Sequence, residues 1–143
     1  MLVRLIYASR AAAPVDSDSL VAIHRQSKRN NPATGITGLL CFSGGIFLQA
    51  LEGGRQQVNQ LYNLIVADTR HGDVCLLSYE EIACRRFAGW AMGQVNMQRL
   101  NPGMLLKYSS TTQLDPYELS GRVALELLDE LVATASVMGE RGG

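Results

Sequence analysis

An excess of charge of either sign is missing from this sequence. Thirteen basic and thirteen acidic residues leave a formal net charge of zero and a pI near 6.7. That excludes the strongly basic footprint of a nucleic-acid binder, and the small cluster Arg25, Lys28 and Arg29 reads as a solvated helix face. No apolar run approaches the ~18 residues of a membrane span, and no charged segment leads into an apolar signal core. Neither a span nor a signal peptide is expected. Only three cysteines occur, at 41, 75 and 84, an odd count without metal-type spacing. Cys41 and Cys75 lie in apolar runs and read as buried core thiols, which makes a reducing cytoplasm the expected compartment. The two histidines, His24 and His71, are far apart and lack cysteine or carboxylate companions at ligand spacing, so no metal site is expected. P-loop, nucleophile-elbow, zinc-protease and dinucleotide-binding motifs are all missing. Glu80 and Glu81 are adjacent, so on a strand they face opposite ways and form no dyad. As a hydrolase, the sequence offers no obvious nucleophile and base.

What is present is enough apolar sequence for one core: 143 residues, 47% of them hydrophobic. Residues 2–9 alternate as a strand, with Leu2, Arg4, Ile6 and Ala8 on one face and Val3, Leu5, Tyr7 and Ser9 on the other. Asp16, Ser17 and Asp18 supply caps for a helix from about Ser17 to Lys28, ended by Asn30-Asn31-Pro32. Strands follow at 35–43 and 46–52, joined by Gly44-Gly45, a two-residue hairpin signal. Val58, Leu61, Tyr62 and Ile65 recur at helical spacing and predict a helix over 55–67. Residues 68–72 form its exit turn. A fourth strand is predicted at 73–82 and a shorter fifth at about Trp90 to Asn96, with Trp90 and Met92 on one face. The order β-α-β-β-α-β-β predicts an α+β fold of ferredoxin-like type, two helices packed on one face of the sheet. After about residue 100 the composition changes. A short helix near 104–107 and a capped helix from Asp115 to about Val137 form a C-terminal extension, residues 101–143, that covers the other face. Its apolar stripe also suits self-association.

The stretch from Asn30 to Gly53 holds the feature that packing does not explain. Along the third strand Phe47, Gln49 and Leu51 share a core-facing side. A buried amide without partners costs about 1–3 kcal/mol. Either another protein group satisfies Gln49, or a bound polar ligand does. In a ferredoxin-like sheet the first and third strands are central neighbours, which brings Tyr7 and Gln49 together beneath the helices. A Tyr–Gln hydrogen bond used only for packing is one reading of that pair, and a ligand site is the other. Taken alone, Asn31 reads as a turn residue, and Trp90 and Met92 read as core.

Five separated segments, RLIYAS, SKRNNPATGITGLL, IFLQALEG, ADTRH and FAGWAMG, give the sequence over about residues 2–97 a marked likeness. It resembles the BLUF family, blue-light sensors that use FAD. The tail is similar to that of short stand-alone members. The resemblance implies a photoreceptor and not an enzyme, with residues 1–100 holding FAD non-covalently. It implies that Tyr7 gives an electron to the excited flavin, that Gln49 lies between Tyr7 and the ring, and that Asn31 hydrogen-bonds the ring. Ser27 and Asn30 fall at neighbouring pocket positions, Ile23 lines the pocket from the first helix, and Arg70 and His71 match a pair near the ribityl-phosphate end. Trp90 and Met92 match photoactive positions of the fifth strand, and which of them approaches Gln49 is left open. Ala91 stands where many members have serine. The implied partners are FAD, a second copy of the chain and a separate effector protein.

Overall fold

The computed structural model describes residues 1–12, 34–95, 100–134 and 137–138. Strands β1 (Leu2–Ala11), β2 (Thr37–Ser43) and β3 (Ile46–Gly54) precede helix α1 (Arg55–Ala67). Strands β4 (His71–Ile82) and β5 (Gly93–Val95) follow, then helix α2 (Pro102–Leu106), a 3₁₀ turn at Pro116–Glu118, helix α3 (Gly121–Ala133) and strand β6 (Val137–Met138). The sheet order is β4-β1-β3-β2-β5-β6. β1 pairs antiparallel with β3 on one side and β4 on the other, and β2 pairs antiparallel with β3. This is the ferredoxin-like α+β arrangement the element order predicts. The predicted helix from Ser17 to Lys28 lies outside the described residues.

Two apolar clusters divide the strands by their two-residue period. On one face Val3, Leu5, Tyr7, Leu40, Phe47 and Leu51 pack under Val58 of α1, with Leu61, Tyr62 and Ile65 at the margin. On the other face Ile6, Leu39, Cys41, Leu48 and Ala50 pack under Leu105 of α2 and Ala124, Leu127, Leu128 and Leu131 of α3. The C-terminal extension thus covers the second face. Tyr108 donates to Glu130 at 2.6 Å, and Lys107 also pairs with Glu130, which ties the end of α2 to α3. Those two bonds hold the Glu130 carboxyl below its usual range.

Gly44 and Gly45 have φ of 60° and 80°, the left-handed pair of a tight hairpin, as their sequence predicts. The 55–67 helix has the predicted bounds. Other elements differ from the prediction. β1 runs on to Ala11, and β4 starts at His71, because Ala11 and His71 pair across the strands. Cys41 is buried, but Cys75 is exposed, because β4 is an edge strand.

The predicted helix from Asp115 to Val137 is broken in three. Asp115 does act as a cap, accepting from Tyr117 N–H at 3.1 Å, but it caps only the 3₁₀ turn. Leu119 is extended, and Ser120 caps a new helix by accepting from Val123 N–H at 3.1 Å. α3 ends at Ala133, and Val137 pairs with Val95 as a strand. The break exists because α3 starts where the chain touches the sheet. A Cβ on Gly121 would lie 2.4 Å from the Leu77 carbonyl oxygen and 2.6 Å from the Ser78 Cβ. Gly121→Ala is therefore expected to push the start of α3 off β4 and to lower stability by about 1–3 kcal/mol in a denaturant melt. An unchanged midpoint would mean that α3 shifts freely on the sheet.

Candidate functional site

The β1–β3 register sets Tyr7 directly opposite Gln49, and the β2–β3 register sets Leu40 on the other side of Gln49. Tyr7 is 4% exposed and Gln49 is 5% exposed. The Tyr7 hydroxyl donates to Gln49 Oε1 in a short bond. Gln49 Nε2 donates to the Met92 sulfur at 3.4 Å. Burial pushes the Tyr7 phenol well above its ordinary pKa, with Tyr62 and Asp68 adding to the rise. Tyr7 therefore stays a hydroxyl at neutral pH and has a proton to donate. That proton decides the amide's orientation, oxygen toward Tyr7 and nitrogen toward Met92.

Aromatic rings stand among the aliphatic side chains of this face. The Tyr62 ring of α1 lies 5.8 Å from the Tyr7 ring, centroid to centroid. Phe47 lies tilted against Phe42, with centroids 4.6 Å apart, and meets His71 edge-on at 6.4 Å. His71 Nε2–H donates to the Ile65 carbonyl at the end of α1, and its Nδ1 meets the Ser9 hydroxyl at 2.8 Å. The imidazole thus joins β1, β4 and α1. Arg70 forks onto Asp68, with Nε 2.9 Å and Nη2 2.6 Å from Oδ2. Those bonds hold the Asp68 carboxyl below its usual range and raise the guanidinium further.

Of the predicted site residues, the structure brings Tyr7, Gln49 and Met92 into direct contact and sets Arg70 and His71 beside the C-terminal end of α1. Ile23, Ser27, Asn30 and Asn31 lie outside the described residues. Trp90 and Met92 do not share a face, contrary to the alternation expected of residues 90–96. Trp90 packs with the α3 cluster, and Met92 with the Tyr7 cluster. The reason is that β5 begins only at Gly93. The Trp90 N–H donates to the Phe87 carbonyl at 3.0 Å, and the Trp90 carbonyl accepts from Gly38 N–H at 3.0 Å. Residues 87–92 are a turn, where the two-residue period does not apply. Met92 is the residue of this turn whose contact with Gln49 is seen, through its sulfur.

One group escaped the sequence reading. Arg4 and Glu52, 3% and 0% exposed, form a buried ion pair at 2.8 Å on the α3 side of the sheet. Arg4 also reaches Glu80 at 2.7 Å. The signal was available, since Arg4 and Glu52 fall on the strand faces opposite Tyr7 and Gln49, where the C-terminal extension is predicted to pack, and are opposite in charge.

Among the described residues the Gln49 amide nitrogen meets only a thioether, a weak acceptor, although an amide nitrogen carries two protons to donate. A buried amide that donates and accepts, flanked by a phenol and aromatic walls, fits the edge of a heteroaromatic ring. The fold and this cluster define a ferredoxin-like α+β domain with a buried amide, bonded at both ends, at its centre. Residues 2–93 match the family model described as BLUF, sensors of blue light using FAD. The chain belongs to the BLUF family. It is 38% identical over 90 residues to the blue light- and temperature-regulated antirepressor BluF of Escherichia coli K12, covering 61% of this chain and 22% of that protein. It is 35% identical over 100 residues to the photoactivated adenylate cyclase subunit beta of Euglena longa, covering 69% of this chain and 12% of that one. The chain thus spans a small part of the curated relatives it matches. Among solved structures, BlrB, a BLUF protein in its dark state, superposes with a TM-score of 0.78 at 33% identity, covering 94% of this chain and 96% of that one. BlsA in its photo-activated state superposes with a TM-score of 0.78 at 27% identity over 100% of this chain and 99% of that one. No helix among the described residues is long and apolar enough to cross a membrane.

Proposed function

We propose that this chain is a blue-light switch that holds FAD non-covalently and signals to a separate protein, without catalysing a reaction of its own. The observation that carries the reading is the Tyr7–Gln49–Met92 chain of contacts, buried under α1. Ile23, Ser27, Asn30, Asn31 and Gln49 hold the ring, and Arg70 and His71 stand toward the ribityl-phosphate end. FAD bound there supplies the blue absorption and an excited state that accepts an electron.

The protein's own part is a proton and an electron lent and returned. Tyr7 is protonated because burial disfavours its anion, and its hydroxyl already points at the Gln49 oxygen. The proton that leaves with the electron passes along that bond. Gln49 has an acceptor end and a donor end of nearly equal size, so it can present either to Tyr7 within one cavity. After Tyr7 is restored, the amide is left rearranged. Met92 loses or gains its bond to Gln49, and the connection that carries Met92 responds. The Arg86 side chain of that connection pairs with Asp129 on α3, which supports an exit for the signal through the C-terminal extension. Self-association through that extension, and release or capture of an effector, are the readings that follow.

The test is an absorption spectrum of the purified chain before and after a blue flash, followed in the dark. A flavin band that moves about 10 nm or less to the red and returns is expected, since one rearranged hydrogen bond is worth only ~1 kcal/mol. A band that bleaches and stays reduced would overturn the switch in favour of oxidoreductase chemistry. A colourless protein would return Gln49 to packing.

A further inference from the structure

Glu52 is a carboxylate with no part in the light reaction as described, yet it is 0% exposed. It stands on β3, three residues beyond Gln49 and on the opposite face. Its Oε2 accepts from Arg4 Nε at 2.8 Å and from the backbone N–H of Arg86 at 3.0 Å. Its Oε1 accepts from the backbone N–H of Phe87 at 2.7 Å. One buried carboxylate therefore grips two successive N–H groups of the β4–β5 connection. Hydrogen bonds to an ionised acceptor are roughly twice as strong as neutral ones. The gripped segment then turns through the Trp90–Phe87 bond, and its last residue sets the Met92 sulfur 3.4 Å from Gln49 Nε2. β3 thus holds this connection twice, by Glu52 at its start on one face and by Gln49 at its end on the other.

We infer that Glu52 is a positioning residue for the light switch: through the 86–92 turn it sets where the Met92 sulfur lies against the Gln49 amide, and so how fast that amide returns in the dark. The inference rests on the light-sensing function proposed above. A thioether is a weak acceptor, so its bond to Gln49 survives only while the backbone holds the sulfur in place. Exchanging the carboxylate for an amide leaves one acceptor oxygen for three donors. Arg4 keeps Glu80, and the single remaining oxygen no longer holds the Arg86 and Phe87 N–H groups both at once. Met92 then has to be ordered again each time Gln49 returns, which slows the return.

The test uses the full chain loaded with FAD. Glu52→Gln is expected to keep the red shift and slow dark recovery about threefold or more, while leaving the rate of a Met92→Leu variant unchanged, because both act through one contact. Glu52→Asp, which keeps a charge against Arg4 but withdraws it from the two N–H groups, is the second variant and is expected to slow recovery likewise. Wild-type recovery in both variants would overturn the inference. So would the same factor of slowing with and without Met92, which is the result of general loosening. A wild-type chain that binds FAD and never shifts would instead overturn the light-sensing reading, and this inference with it.

Discussion

Tyr7→Phe and Gln49→Leu are each expected to bind FAD and to show no reversible red shift. Both substitutions keep the shape of a buried aromatic or aliphatic side chain on a central strand, so the fold should hold. Phenylalanine removes the only hydroxyl bonded to Gln49 Oε1 among the described residues and leaves that oxygen unsatisfied, at a cost of about 1–3 kcal/mol. More to the point, it removes a proton that burial had kept on the phenol at neutral pH. Leucine at 49 removes both ends of the amide, so no second hydrogen-bond pattern exists for light to select. The measurement is the difference spectrum after a blue flash at saturating intensity. The expected amplitude is zero within noise for either variant. A normal photocycle in Tyr7→Phe would remove Tyr7 as the electron and proton source, and one in Gln49→Leu would remove the amide as the element that switches. The two variants are also expected to differ in the excited state. Flavin fluorescence should rise strongly in Tyr7→Phe, where the quenching donor is gone.

The second large effect is on the sheet. Gly38→Ala is expected to cost about 4 kcal/mol or more, beyond the about 1–3 kcal/mol usual for overpacking. A Cβ at this position would lie 1.9 Å from the Ala50 carbonyl oxygen and 3.3 Å from the Leu51 Cα. The obstacle is backbone on the adjacent β3 strand, which cannot turn aside as a side chain can. Gly38 N–H is also the donor to the Trp90 carbonyl, so a displaced β2 releases the turn that presents Met92. Urea unfolding of the purified variant should show a much lower midpoint, or the protein should fail to accumulate folded. If it folds, flavin binding and dark recovery should both be altered. A wild-type midpoint would show that β2 and β3 can separate locally at no cost.

The legible part of this protein was what repeats locally. The hairpin at Gly44-Gly45 was readable because two glycines accept positive φ and the flanking residues alternate. Helix α1 was readable because Val58, Leu61, Tyr62 and Ile65 mark one stripe, and only Val58 among its residues is fully buried. The pairing of Tyr7 with Gln49 followed from topology once the element order was known. The errors fall where the chain leaves a regular period. Alternation placed Trp90 and Met92 together, while the turn at 87–92 separates them onto opposite faces. Apolar periodicity carried a helix through Leu119, although Ser120 and Gly121 restart it against β4. Cys75 looked buried because its neighbours are apolar, but it is exposed on β4, which is an edge strand among the described residues.

By itself, then, the sequence determined the α+β pattern, the two faces of the central strands and the presence of one amide at a core position. These follow from periodicity, turn chemistry and the cost of burying a polar group, all of which act within a few residues. Only the tertiary structure decided which sulfur the amide meets, that Arg4 and Glu52 neutralise each other inside the sheet, and that Glu52 holds the connection leading to Met92. Those contacts join residues more than 30 apart along the chain, from Arg4 with Glu52 at 48 to Glu52 with Arg86 at 34. No local rule sets them. They are set by the register in which β1, β2, β3 and β4 pair, which brings residues distant in sequence side by side.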